Sequence, residues 1–131
     1  MTLAPRGVPR PVPICFVAVA RAAGWRLYSP LDEKPKAISD PRRLARVRDI
    51  LVRPDVSVLV QRWSEDWDEL AWLRIRGTAQ LLERSAADVI GALREKYPQY
   101  AAHDLEGRPM LEVRVERVVA WSARGSAAEG G

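Results

Sequence analysis

The stretch VSVLVQRWSEDWDELAWLRIRGTAQLLE, residues 56–83, decides the fold. Its opening puts Val56, Val58 and Val60 on one face, the two-residue period of a half-buried strand. Residues 63–68 then crowd Trp63 and Trp67 with Glu65, Asp66 and Asp68 into a tight, acidic, aromatic turn. Residues 70–83 resume the alternation at Leu73 and Ile75, then at Ala79 and Leu81. Gly77 interrupts this run and marks a bulge or a close backbone approach. Two alternating runs joined by a short turn predict an antiparallel pair with one face in the core.

Upstream, residues 1–11 are proline-rich, hold Gly7 and read as a turn. Residues 12–20 read as a buried strand, apolar and without helical period, and residues 25–29 as its hairpin partner across Ala22-Ala23-Gly24. Pro30 ends the second strand, and residues 31–40 form a polar loop. Asp40-Pro41 has helix-start chemistry, with Asp as cap and Pro in the first turn. Leu44, Val47, Ile50 and Leu51 then make an apolar stripe, and Arg42, Arg43, Arg46 and Arg48 fill most of the rest; Arg53-Pro54 stops this helix. Downstream, Ser85-Ala86-Ala87-Asp88 opens a second helix whose apolar positions are Val89, Ile90, Leu93 and Tyr97, ended by Pro98. Residues 110–120 are the last strand, with Leu111, Val113, Val115 and then Val118 on one face.

The order β-β-α-β-β-α-β predicts a mainly β protein with two helices. Its sheet is antiparallel and closes as a small Greek-key barrel that hides its edges. Residues 1–123 form one domain, and the Gly/Ala/Ser-rich residues 124–131 read as a disordered tail.

Composition narrows the class. With 47 % hydrophobic and 29 % charged residues, the chain is ordinary globular material. Its longest apolar run, residues 11–20, is far short of the about 20 residues that span a bilayer. No membrane association is expected, nor a signal peptide. One cysteine rules out an intrachain disulfide and suits a reducing, cytoplasmic setting. With a single His beside it, no metal site is expected. The net charge of +4 is concentrated between Lys34 and Arg53. A local basic cluster suits a phosphate group better than a nucleic acid, whose binders spread charge along a face. The acidic residues among the tryptophans argue further against stacked bases.

No familiar catalytic set is present: no nucleophile elbow, no zinc-binding helix motif and no phosphate-binding loop. His103 reads as a solvated loop residue and Cys15 as a packed one. Two features stand out. In DEKPK, residues 32–36, Lys34 and Lys36 bracket a proline that stiffens the loop. They either grip a phosphate dianion or form a solvated charged loop; Arg43, Arg46 or Arg48 could assist. Trp63, Trp67 and Trp72 lie within ten residues. They suit a planar heterocycle, a subunit interface or plain core packing.

Taken together, four stretches resemble the pyridoxamine 5'-phosphate oxidase-like split β-barrel family, and its F420-dependent oxidoreductase branch more closely. They are residues 7–16 (GVPRPVPICF), the DEKPK loop, residues 46–60 (RVRDILVRPDVSVLV) and residues 72–81 (WLRIRGTAQL). Residues 94–100 (REKYPQY) and 115–123 also fit. The resemblance implies a homodimer with a cofactor, F420 or alternatively FMN, at each interface site. It implies that Val12, Pro13, Tyr28, Ser29 and Pro30 line the ring and its chain. It also implies that Lys34, Lys36 and Arg43 serve the phosphate, and that the partner copy adds the region around Trp72 and Arg74. A small organic molecule would be the substrate. Two departures are visible. The family's N-terminal helix and most of its first strand have no counterpart before Gly7. Asp49 stands where related sequences carry Asn, and beside a phosphate it would repel. The rival readings are an FMN-dependent oxidase or reductase and a non-catalytic flavin- or anion-binding protein.

Overall fold

The structure is a computed structural model that describes residues 2–3, 9–31, 45–102, 104–125 and 128–130, the first and last of these as backbone. Among the described residues, eight strands form one antiparallel sheet. They are β1 (Thr2–Leu3), β2 (Pro9–Arg10), β3 (Val17–Arg21), β4 (Gly24–Pro30), β5 (Asp55–Arg62), β6 (Ala71–Leu82), β7 (Met110–Ser122) and β8 (Ala128–Gly130). The described residues also form two α-helices, α1 (Ala45–Val52) and α2 (Ala87–Lys96). The spatial order is β2-β1-β5-β6-β7-β4-β3, with β8 also on β7. The β5-β6-β7 meander is flanked on its β7 side by β4, which precedes it through the long connection holding α1; that is a Greek-key order. The mainly β, two-helix split-barrel architecture expected from sequence is what is found.

Alternation works as predicted. Val56, Val58, Ile75, Ala79, Leu111 and Val113 turn to one face of the sheet and pack with Leu27 against Val47 and Ile50 of α1. On the other face, Val89, Ile90 and Leu93 of α2 pack on Val17, Tyr28 and Met110. Each fully buried side chain of this kind contributes about 1.5–3 kcal/mol, so the two layers hold both helices against the sheet. Gly77 is both things the sequence suggested. The β6–β7 register shifts there, leaving Glu116 as the extra residue of β7. A Cβ on Gly77 would fall on the Arg114 carbonyl oxygen and 2.9 Å from Val113 Cγ1.

Several local expectations are corrected. The first hairpin strand begins at Val17, not Val12. Pro11 and Pro13 have no N–H to give a ladder, so residues 11–16 run as an irregular strap. Cys15 lies on that strap and is exposed, not packed. Leu51 is also exposed; α1 buries Asp49 in addition to Val47 and Ile50. Ser85 does not cap α2. The N-cap is Ala86, without a side-chain bond, and the Ser85 hydroxyl donates to the Arg108 carbonyl at 2.9 Å. The tail is not featureless: Ala128–Gly130 adds β8 along residues 118–120 of β7, above the stretch that β4 occupies. At the N-terminus, β1 pairs with β5 through Thr2 and Val56 and with β2 through Thr2–Arg10 and Leu3–Pro9. A short first strand is therefore present on that edge.

Candidate functional site

β4 splits the residues singled out on it between two faces. Ser29 sits beside Leu111 of β7 and turns to the α1 side, buried. Tyr28 turns to the α2 side, opposite Glu112, and packs among Val17, Val89 and Met110. The two-residue strand period forbids both from facing one ligand. Pro30, also buried, ends the strand opposite Met110.

On the Ser29 side a shallow cleft of about 40 Å³, open to solvent, lies between the barrel, α1 and the strap. Val12 and Ile14 of the strap form one wall, Ile50 and Val58 form the floor, and Ser29 and Arg46 are the polar groups. Pro13, between the two strap residues, is exposed. Arg46 reaches the cleft because Val47 and Ile50 fix α1 in the barrel mouth, leaving position 46 half-buried at its rim. In chemistry, apolar walls with one hydroxyl and one guanidinium match an edge of a flat ring system with an anionic substituent, and a single chain encloses only part of a ligand of that size.

Two residues that sequence reasoning did not single out hold the strap in place. The Tyr97 hydroxyl accepts from the Phe16 N–H at 3.3 Å and donates to the Phe16 carbonyl at 3.2 Å. Lys96 Nζ donates to the same carbonyl at 2.6 Å and lies 3.9 Å from the Phe16 ring centroid. One side chain thus serves the backbone groups that a neighbouring strand would otherwise satisfy. The signal was present in the sequence: a proline-interrupted segment without a ladder needs side-chain partners. At the other end of the strap, Arg10 Nε lies 3.1 Å from Oδ2 of the buried Asp49. Asp49 therefore has a structural partner in the position where an adjoining phosphate was questioned.

Tyr28 belongs to a polar set beside α2. Arg21 Nε donates to its hydroxyl at 3.3 Å, and Arg21 Nη1 donates to Asp88 at 2.6 Å. Burial raises the Tyr28 pKa, Glu112 raises it further, and Arg21 opposes both. The hydroxyl therefore stays protonated. The Arg21 guanidinium holds the Asp88 carboxyl below its ordinary value and is itself pushed up by that contact.

Trp72 and Arg74 lie on the outer face of β6, away from the cleft. Trp72 stacks on Trp121, with centroids 6.5 Å apart and planes at 19°, and Arg74 Cζ stands 6.0 Å from the Trp72 centroid. A single chain therefore brings Val12 and Ser29 together and adds Arg46, but keeps Tyr28, Trp72 and Arg74 elsewhere. Lys34, Lys36, Arg43 and His103 lie outside the described residues.

The fold and the cleft place the molecule in the split-barrel class. Residues 1–122 match the pyridoxamine 5'-phosphate oxidase family, and the chain belongs to it. Members of that family generally bind a flavin or deazaflavin and are typically flavin-dependent oxidoreductases. Two solved structures share the fold. One is 21 % identical with a TM-score of 0.70, covering 98 % of this chain and 78 % of its own. The other, the conserved hypothetical protein Rv2991 from Mycobacterium tuberculosis, is 16 % identical with a TM-score of 0.65, covering 94 % and 74 %. No curated protein matches. Among the described residues, no helix is long and apolar enough to cross a membrane.

Proposed function

We propose that this chain is an F420-dependent oxidoreductase, with FMN as the alternative cofactor, acting on a small organic molecule in the cytoplasm. The observation that carries the reading is the apolar cleft with Val12, Ile14, Ser29 and Arg46 around it, in a chain of this family. When bound, the cofactor supplies the hydride chemistry. The chain's own residues bind and orient it. Val12 and Ile14 shield one face from water, the Ser29 hydroxyl meets a polar ring edge, and Arg46 attracts an anionic substituent. Lys34, Lys36 and Arg43, on the connection between β4 and α1, serve the phosphate in this reading. The cleft is open, so a second copy closes it, with the region from Trp63 to Arg74 as the contributed wall.

Fluorescence titration of the purified chain with F420 and with FMN tests this. Saturable binding of one of them is expected. Changing Lys34 and Lys36 together to Ala should weaken it at least about tenfold, as loss of charge-assisted bonds does. Arg46→Met should act in the same direction. Binding of neither cofactor, or unchanged affinity in the folded double variant, would overturn the reading. Binding without hydride transfer to any acceptor tried would favour the non-catalytic carrier.

A further inference from the structure

Neighbouring residues of β6 and β7 line two hollows at once. Leu111, Val113 and Ala79 turn to the cleft. Glu112, Arg114, Thr78 and Gln80, which alternate with them, turn the other way and, with Arg26 of β4, line a second hollow of about 150 Å³. The two-residue strand period sets the hollows back to back, with the sheet between them. The second has room for a phosphate group, since one water needs only about 10–15 Å³ of such space.

Its charge is unbalanced. Arg26 stands directly opposite Arg114, and like charges so placed destabilise a sheet. Among the described residues neither guanidinium has a carboxylate partner; Arg26 Nη1 donates to the Trp25 carbonyl at 3.3 Å. Glu112 is the acid of this hollow, and it is committed elsewhere: it accepts from Gln80 Nε2 at 2.7 Å and stands opposite Tyr28 in its own row. The surrounding charges are matched. Arg21 is ion-paired with Asp88. Asp55 and Glu116 share a separate hollow of about 230 Å³ with Arg76 and Arg117, and Glu116 also accepts from Thr78. Glu129 stands opposite Val119, farther along β7 still.

We infer that the Arg26–Arg114 pair is a binding site for the phosphate group of a small molecule, separate from the cleft and on the opposite face of the sheet. Side chains whose Cβ atoms lie about 4.5–5.5 Å apart across two strands bring two forks of N–H donors to one oxyanion. A carboxylate has two oxygens, which one guanidinium fork saturates. A tetrahedral phosphate offers oxygens to both forks, and its negative charge cancels the repulsion that the empty pair carries. Thr78 and Gln80 border the hollow with polar groups, so a phosphate seated there stays hydrogen-bonded on that side as well.

Thermal melts of the full chain, titrated with inorganic phosphate at constant ionic strength, test this. The melting temperature should rise saturably, by a few degrees at about ten times the phosphate dissociation constant. Acetate should give no such rise. Arg26→Gln with Arg114→Gln should raise the phosphate concentration needed at least about tenfold. In phosphate-free buffer the same variant should melt at or above the wild type, because the opposed charges are gone. Lys34→Ala with Lys36→Ala, at the cofactor's phosphate position, should leave the phosphate effect intact, so this inference and the proposed function fail separately. A melting temperature indifferent to phosphate, an equal rise in acetate, or a rise that the arginine variant retains would overturn the site. So would an arginine variant that melts below the wild type without phosphate, since the pair would then be serving the fold.

Discussion

Replacing Arg10 by Met should cost about 2 kcal/mol of stability, between the about 3–5 kcal/mol for breaking a buried pair and the about 0–1 kcal/mol of a surface one. Asp49 is 2 % exposed at its side chain and Arg10 is 49 % exposed, with 3.1 Å between Nε and Oδ2. The carboxylate is therefore desolvated, while its partner keeps half its hydration. Asp49 also has an interaction beyond this one, which places the loss toward the lower part of the range. At a urea m-value of about 2 kcal/mol/M, the midpoint should fall by about 1 M. Urea denaturation of the wild type, Arg10→Met, Asp49→Leu and the double variant supplies the check. The double variant should lose less than the sum of the singles by at least about 1 kcal/mol, because removing both charges strands neither. A midpoint for Arg10→Met within about 0.2 M of wild type, or strict additivity in the cycle, would refute the pairing as a structural clasp.

Further outcomes follow from the same geometry. Tyr97→Phe removes both bonds to the Phe16 backbone and should cost about 1–2 kcal/mol in urea denaturation; it should also weaken cofactor binding several-fold, and unchanged affinity would mean that the strap does not shape the cleft. Gly77→Ala forces a Cβ onto the Arg114 carbonyl; about 2–3 kcal/mol should be lost in a thermal melt, and a neutral variant would deny the tight β6–β7 approach. Asp88 and Glu106 are held below their ordinary values of 3.8 and 4.5 by Arg21 and Arg94. Each lowered carboxyl adds stability that is complete above its ordinary value and is lost as pH falls through the lowered one. Arg21→Gln with Arg94→Gln should therefore lower stability modestly at neutral pH and flatten the acid limb of a pH–stability curve below about pH 4.5, the two curves converging where both carboxyls are protonated; an unaltered acid limb would exclude those pairs.

The sheet was legible because its strands are period-2 patterns that packing reinforces: Val56, Val58 and Val60, then Leu73 and Ile75, all read correctly. Even the bulge was visible, through Gly77 on one strand and the step from Val115 to Val118 on the other. The strap was misread because Val12, Ile14, Phe16 and Val17 are apolar enough for a strand, and hydrophobic pattern carries no record of the missing proline N–H groups. Helix α1 misled for a related reason. Asp49 is buried by a partner 39 positions away in sequence, and no local pattern encodes that pairing. In the site, Val12 and Ser29 were named before the structure brought them together, but Tyr28, next in sequence to Ser29, faces the opposite helix. Adjacent residues of one strand cannot share a ligand face, and that constraint was available from the alternation alone.

The strap is what turns a generic barrel into a cleft, and it is fastened at both ends. Arg10 ties it to α1, which packs on one face of the sheet, and Phe16 ties it to Tyr97 and Lys96 at the end of α2, which packs on the other. Val12 and Ile14 hang between those two anchors with no strand ladder of their own. The width of the cleft is therefore set by the separation of two helices, of which α1 also lines it and α2 does not, and loosening either clasp should relax the same wall. On this reasoning Arg10→Met and Tyr97→Phe, substitutions at opposite ends of the strap, should raise the cofactor dissociation constant in the same sense. Their combined effect should fall short of the product of the two, because a wall released at one end has less order left to lose at the other. Fluorescence titration of both singles and the double variant measures this. Independent, multiplicative losses would show that the two ends act on different parts of the site.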